Sequence, residues 1–194
     1  MRTYLLIVVF LFFSKSVLAV NDSIVKPQVR NSPILIANLL MANNNYVKCT
    51  YGQPLKKGRE VFGSLVPFGK LWRTGANEAT EITFTNDIVI GGTSLEAGTY
   101  TLFTIPNQDS WTIIINSVLG QWGDFTYDAS KNIVVFQVPV LKNHEIYEGF
   151  TIQFDEKTAG FDMNLLWDST KIQIPVQFAD KKPTSTKKKK KRKS

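Results

Sequence analysis

The chain has 194 residues and a formal net charge of +7, with one cysteine and one histidine. This length suits one domain with a substantial core, and a single cysteine excludes a disulfide within the chain. A lone histidine without a carboxylate cluster around it offers neither a metal-site pattern nor a Ser-His-Asp pattern. We therefore expect no metal and no cofactor, and an apolar core must supply the stability.

Residues 1–19 predict a secretory signal peptide. Arg2 precedes an apolar run at residues 5–13 that is too short to cross a bilayer comfortably, and Val17-Leu18-Ala19 is typical of a cleavage site. Cleavage after Ala19 predicts a secreted or periplasmic protein. An uncleaved membrane anchor is the alternative interpretation.

Residues 20–45 are a polar, Asn-rich N-terminal lead-in segment, in which residues 34–41 suggest a helix turn or a first strand. From residue 46 the period changes to two, and turn signals separate the alternating stretches. These stretches are residues 46–51, 80–85, 87–90, 93–95, 99–105, 111–116, 133–140, 150–155, 161–168 and 172–178. They predict an all-β domain at residues 46–179, an antiparallel β-sandwich of about nine strands, with barrel-like closure as the alternative.

Two long connections interrupt the strand pattern. Residues 52–79 are dense in glycine and contain Pro54 and Pro67, which predicts a structured loop. The second connection, residues 117–131, contains Trp122 between two glycines. Loops of this length in a compact domain are often functional, so both are candidate site regions.

The positive charge is concentrated at the C-terminus, where residues 180–194 predict a disordered, Lys-rich tail. Its seven cations are Lys187, Lys188, Lys189, Lys190, Lys191, Arg192 and Lys193. Electrostatic attachment to an anionic surface is one interpretation of the tail, and a mobile extension without a partner is the other. A bare lysine run has no base-reading groups, so we expect no sequence-specific nucleic-acid binding.

Without the tail and the leader, residues 20–186 carry 14 basic and 16 acidic groups. Residues 48–73 hold six of these basic groups and one acid, whereas residues 74–180 hold four basic groups and fourteen acids. The body is therefore positive in one short segment and acidic after it. Within the first strand of this segment, Cys49 has the position of a small core residue rather than a nucleophile.

Several long motifs resemble the bacterial domain-of-unknown-function family 2911. They are YGQPLKKGREVFGSLVPFGKLWRTGANEATEITF at residues 51–84, LEAGTYTLFTIP at 95–106, WTIIIN at 111–116 and LGQWGDFTYD at 119–128. The resemblance covers roughly residues 46–178. It implies an exported bacterial β-rich domain and assigns no activity.

The stretch KLWRTGANEATEITF at residues 70–84 is the strongest candidate site. Arg73 is a planar, permanent cation suited to carboxylate, phosphate or sulfate, and tryptophan faces can stack on sugar rings. We expect a polar or anionic ligand, such as a glycan or a carboxylated small molecule. The candidate ligand-binding residues are Tyr51, Arg59, Trp72, Arg73, Asn77, Glu78, Trp122 and Tyr127.

Two other interpretations stay open. In the first, Arg73 pairs with Glu78 or Glu81 and Trp72 is plain core, so that the protein is an envelope structural or adaptor domain without a small-molecule site. In the second, the protein is a hydrolase that uses Glu78 or Glu81 with Asp124 or Asp128. Pairs of acids are common on any surface, so the sequence assigns no catalytic residue and favours binding over catalysis.

Overall fold

A computed structural model describes residues 29–42 and 44–179 of the chain. The segments assigned to the signal peptide and to the Lys-rich tail lie outside the described residues. The nine strands are β1 (Ile34–Leu40), β2 (Tyr46–Gly52), β3 (Thr80–Phe84), β4 (Ile88–Ile90), β5 (Thr93–Leu95), β6 (Gly98–Ile105), β7 (Ser110–Asn116), β8 (Asn132–Lys157) and β9 (Gly160–Phe178). A single 3₁₀ turn at Ala129–Lys131 precedes β8. Over the described ranges, no helix has the length and apolar character needed to cross a membrane.

The nine strands form one antiparallel sheet in the order β1-β2-β3-β6-β7-β8-β9-β4-β5. This confirms the prediction of an all-β antiparallel fold of about nine strands. Strands β1 and β5 stand at the two ends of this order, so the sheet is not closed into a barrel. Strand β1 pairs with β2 along its whole length, which places the first strand within the predicted lead-in segment.

Strand β8 connects the two halves of the sheet. Its first part pairs with β7, from Asn132 to Pro139, and its later part pairs with β9, from Val140 to Lys157. Strands β4 and β5 form the tip of the β3–β6 hairpin, and β4 pairs with β9. The sheet therefore folds over itself in a sandwich-like arrangement.

The core lies between the facing halves. Val47, Cys49 and Ile82 from β2 and β3 are fully buried, as are Phe161 and Met163 from β9. Alternation along each strand sends these side chains inward because successive residues point to opposite faces. Burial raises the pKa of the Cys49 thiol, so this cysteine stays protonated and behaves as a small apolar residue.

Strand β9 combines two stretches that the sequence predicts as separate strands. Asp168 ends the first of these stretches at φ 54°, and β9 continues through it to Phe178. The Phe178 amide donates to the Ala159 carbonyl at 2.9 Å, so the end of β9 returns to its beginning. Trp167, which precedes Asp168, is buried in the core and stacks on Trp72 of the long loop after β2.

Candidate functional site

The loop between β2 and β3 borders a cavity of about 680 Å³, which is within the usual range of small-molecule sites. Its lining comes from the lead-in segment, this loop, the 119–128 loop and β9. The lining residues are Asn31, Ser32, Pro54, Leu55, Lys57, Arg59, Leu65, Val66, Pro67, Lys70, Leu71, Trp72, Arg73, Gly75, Ala76, Asn77, Asp124 and Trp167.

The charge of the cavity wall is strongly positive. Lys57, Arg59, Lys70 and Arg73 line it, against one carboxylate, Asp124. Four of the six cations in the positive segment of the sequence thus line one hollow. Lys56 differs from its neighbours, because its Nζ lies 2.7 Å from Asp168 Oδ1 in an ion pair.

Arg73 has no carboxylate partner within residues 29–42 and 44–179. Its Nη1 donates a long hydrogen bond of 3.4 Å to the Asn77 carbonyl, and its guanidinium carbon lies 6.0 Å from the centre of the Phe125 ring. Both carboxylates nearest in sequence are engaged elsewhere: Glu78 pairs with Arg30, and Glu81 accepts a hydrogen bond from the Gly120 amide at 2.8 Å. The guanidinium therefore keeps donor capacity for a ligand.

Glu78 is held ionised by Arg30, whose Nη1 donates to both carboxylate oxygens at 2.6 and 2.9 Å. Partial burial disfavours the charged form of Glu78. The hydrogen bonds from Arg30 and from its own backbone amide, together with the charge of Arg30, outweigh that effect. The pKa of Glu78 is consequently held below its usual range.

Arg59 is fixed against its own loop. Its Nε donates to the Lys56 carbonyl at 3.0 Å and its Nη2 to the Leu55 carbonyl at 2.6 Å. The loop is fixed in turn to β8, because the Lys57 amide donates to Glu148 Oε1 at 2.6 Å. This wall of the cavity is therefore preorganised rather than loose.

The floor of the cavity is aromatic. Trp72 is buried, its Nε1 donates to the Gly75 carbonyl at 3.0 Å, and its ring stacks on Trp167 at 6.0 Å between centres. Phe62 and Trp111 pack edge-on against Trp72. Trp72 is thus a core residue at the base of the cavity, and it offers a ligand little of its face.

The two long loops meet beside Arg73. The Gly123 amide donates to the Asn77 carbonyl at 2.9 Å, and the backbones of Glu78 and Trp122 form an isolated antiparallel bridge. Trp122 itself is exposed and does not line the cavity. The second loop contributes Asp124 to the wall instead.

A family model described as a protein of unknown function (DUF2911) matches residues 36–176. The chain belongs to the DUF2911 family. This confirms the resemblance carried by the sequence motifs, and the match takes in at least part of each of the nine strands. No curated protein and no solved structure matches the chain.

Backbone strain in this DUF2911 domain is concentrated around the cavity. Five non-glycine residues have positive φ in the described part of the chain: Lys57 and Asn77 line the cavity, and Thr74 and Asp168 adjoin lining residues. Thr74 is the most unusual, because a β-branched side chain clashes in this conformation. Strain of this kind is often found at functional sites, where the surrounding structure must hold it.

Thr74 is held by buried hydroxyl contacts. Its carbonyl accepts from Thr80 Oγ1 at 2.7 Å, and its Oγ1 donates to Thr104 Oγ1 at 3.1 Å. The end of β2 lies equally close to this turn. A Cβ on Gly52 would lie 2.0 Å from the Ala76 carbonyl oxygen. These contacts aim Arg73 at the cavity.

Four of the eight predicted residues do not line the cavity: Tyr51, Glu78, Trp122 and Tyr127. Tyr51 is buried, its hydroxyl accepts from the Ile152 amide at 3.2 Å, and it lines a smaller hollow of about 200 Å³ with Glu78 and Glu81. Tyr127 packs on Phe103, and its hydroxyl accepts from Asn132 Nδ2 at 2.7 Å. Neither hydroxyl reaches the cluster around Arg73.

Among the lining residues with charged or aromatic side chains, four were not predicted as ligand contacts. Lys57 and Lys70 belong to the positive segment, and that charge asymmetry could have identified them. Asp124 lies in the second candidate loop. Trp167 carried no local signal, because its position is an ordinary inward site of a strand. Among the residues that the structure describes, no group of three His, Cys, Asp or Glu side chains could hold a metal ion.

Proposed function

We propose that this protein is an exported binding protein that takes a polar, anionic ligand, such as an acidic glycan or a carboxylated small molecule, in the cavity of about 680 Å³. One observation carries the proposal. Four cations face one carboxylate around the cavity, and Arg73 lacks a carboxylate partner throughout the described part of the chain.

The physical argument concerns unbalanced charge. Like charges gathered around one hollow repel each other, and an anion bound between them removes that repulsion. Arginine adds geometry, because its planar guanidinium can donate two parallel hydrogen bonds to a carboxylate or phosphate. Asn77 supplies a polar edge beside it, and the fixed loops limit the entropy lost on binding.

Hydrolysis fits the site less well. A general acid at this position would need a raised pKa, whereas the ion pair with Arg30 lowers that of Glu78. The pKa of Asp128 is also lowered, first by a hydrogen bond with the Ser130 side chain and then by the one from the Ser130 amide at 2.9 Å that caps the 3₁₀ turn. Glu78, Glu81 and Asp128 therefore have structural partners, and binding is the better-supported function.

Calorimetric titration tests the proposal. We would titrate the purified protein with galacturonic acid, a trigalacturonate and citrate, and with galactose as the neutral match. We expect the acids to bind and galactose to bind far more weakly. Arg73→Gln should weaken acid binding by about 10-fold to 100-fold, the range for losing one hydrogen bond to a charged group.

The matched control is Lys131→Gln, which removes an exposed cation from the 3₁₀ turn, outside the cavity lining. We expect Lys131→Gln to bind as the unaltered protein does. If Arg73→Gln and Lys131→Gln weaken binding equally, only net charge matters and the cavity is not the site. Equal binding of galactose and galacturonate would equally contradict an anion site.

Export has its own test. We propose that the leader is removed after Ala19, so the N-terminal residue of the protein recovered from the cell envelope or medium should be Val20. Edman sequencing or intact mass measures this directly. A recovered chain that still begins at Met1 would contradict cleavage, whatever the ligand experiment shows.

A further inference from the structure

Large apolar side chains are exposed on the loops that border the cavity. On the 119–128 loop, Phe125 is 79% exposed, Trp122 57% and Leu119 45%. On the loop after β2, Leu65 and Phe68 are exposed as well. Single exposed apolar residues are ordinary, but several on neighbouring loops indicate a contact surface.

These side chains lie among the cations. The Phe125 ring centre is 6.0 Å from the Arg73 guanidinium carbon, and Leu65 lines the same cavity as Lys57 and Arg59. Lys70 follows Phe68 closely in the chain and also lines the cavity. One end of the domain therefore combines exposed apolar groups with the four cations that line the cavity.

The backbone presents these groups from fixed positions. The Gly120 amide donates to Glu81 Oε1 at 2.8 Å, the Ala79 amide donates to the Gln121 carbonyl at 2.9 Å, and the Gly123 amide binds the Asn77 carbonyl at the same distance. The loop that carries Trp122 and Phe125 is thus joined to the start of β3. Its exposed side chains are held in place without being covered.

We propose that this end of the domain docks on an anionic lipid bilayer. Trp122, Phe125 and Leu119 enter the interface, and the cavity cations contact lipid phosphates. Aromatic and aliphatic side chains next to basic residues suit such a surface, and tryptophan favours the level of the head groups. The four cations that line the cavity, against one carboxylate, complement the negative surface of such a bilayer.

A glycan platform fits less well. Sugar rings stack on flat aromatic faces, and such a platform gains little from Leu65 and Leu119. The lipid proposal depends on exposed side chains outside the cavity floor, so it does not depend on a soluble ligand occupying the cavity.

The test uses the purified protein with vesicles of phosphatidylcholine alone or mixed with phosphatidylglycerol, with bromine on the acyl chains. Trp72, Trp111 and Trp167 are buried and Trp122 is exposed, so bromine quenching reports Trp122. We expect quenching with the anionic vesicles and little with the neutral ones. Electrostatic attachment of the tail cannot mimic this result, because residues 180–194 contain no tryptophan.

The variant Leu119→Ser with Phe125→Ser should lower vesicle partitioning by at least about tenfold, since burying each of these side chains is worth that much or more. Its control is Ile133→Ser with Val135→Ser, an exposed apolar pair on β8 (42% and 55%) outside the cavity lining. Both variants change surface positions, and circular dichroism confirms that each is folded.

Several results would overturn the proposal. Absence of quenching with anionic vesicles would do so, as would equal quenching with neutral ones or an equal loss in the control pair. A shift of Trp122 fluorescence by polygalacturonate without quenching by vesicles would assign the surface to a glycan instead. The calorimetric result with Arg73→Gln is independent of all these outcomes.

Discussion

This domain has two hollows of similar size, one built mainly from loops and the other mainly from strands. The first is the cavity beside Arg73, of about 680 Å³, which is built mainly from loops and carries four cations. The second, of about 570 Å³, is a groove lined largely by β8 and β9, with the amides of Gln137, Gln173 and Gln177 and with Pro139 and Pro175. No charged residue lines the groove in the part of the chain that the structure describes.

The difference shows that volume alone does not indicate a site. Around the first hollow, positive charge is unbalanced and non-glycine residues adopt positive φ, both of which cost folding free energy. The groove lining contains no strained non-glycine residue among those described. A costly arrangement that the fold maintains is better evidence for function than an empty volume.

Among the experiments that compare the two hollows, the largest effect is expected from a substitution in the cavity floor. Trp72→Ala should lower the free energy of unfolding by about 4 kcal/mol, because it leaves a large void among Phe62, Trp111 and Trp167. Urea denaturation measures the loss. The control Trp122→Ala, at an exposed site, should change stability by about 0.5 kcal/mol or less. Similar losses in the two variants would contradict a buried role for Trp72.

The next largest effect is expected from the backbone contact between Gly52 and Ala76. Gly52→Ala should cost about 3 kcal/mol, because the new Cβ would overlap the Ala76 carbonyl oxygen and Ala76 belongs to the cavity wall. Gly92→Ala, in the turn beside the groove, meets no atom within 4 Å but has φ +77°. That change should cost only about 1–2 kcal/mol of backbone strain. Equal losses would mean that the two hollows impose similar constraints.

The charge of the cavity predicts a thermal effect. Citrate at about one hundred times its Kd should stabilise the protein by about 2.7 kcal/mol, which raises Tm by about 5 °C or more. Arg73→Gln should reduce that rise strongly, whereas Gln177→Ala in the groove should leave it unchanged. Calorimetric scans with and without citrate measure both. A rise that survives in Arg73→Gln would place the anion elsewhere.

The smallest expected effect concerns pH. The pKa of Glu78 is lowered in the folded protein, so the unfolded chain binds more protons in the interval between the folded and unfolded pKa values. The Arg30–Glu78 pair therefore stabilises the protein above the ordinary glutamate pKa, and its contribution is lost as pH falls through the lowered value. Because the pair is exposed, this contribution should not exceed about 1 kcal/mol.

Denaturation curves across acidic pH check this expectation. Glu78→Gln should reduce the fall in the free energy of unfolding at acidic pH. Glu145→Gln, at an exposed site on β8, should leave that fall unchanged. If Glu78→Gln retains the full pH dependence, the ion pair with Arg30 does not form in solution. The groove contains no titratable group among the described residues, so it should not contribute to the loss of stability at acidic pH.

The sequence by itself determined much of this protein. Period-two alternation specified most strands because that pattern is local, and the glycine and proline density marked the loop that borders the cavity. The same segment showed an excess of positive charge. The motifs at residues 51–84, 95–106, 111–116 and 119–128 together indicated the family that the family model confirms.

Tertiary structure decided the partners. Arg30 pairs with Glu78, which is 48 residues away in the sequence, and Arg73 is left facing the cavity. No local sequence pattern encodes that choice of partner. In the folded protein, Tyr51 and Tyr127 make contacts away from the cavity. Strands β8 and β9 each join two stretches that the sequence predicts as separate strands. The physical reason is the same in each case. Alternation and turn chemistry act between neighbours in the chain, whereas ion pairs, ring contacts and cavity walls depend on which distant segments pack together.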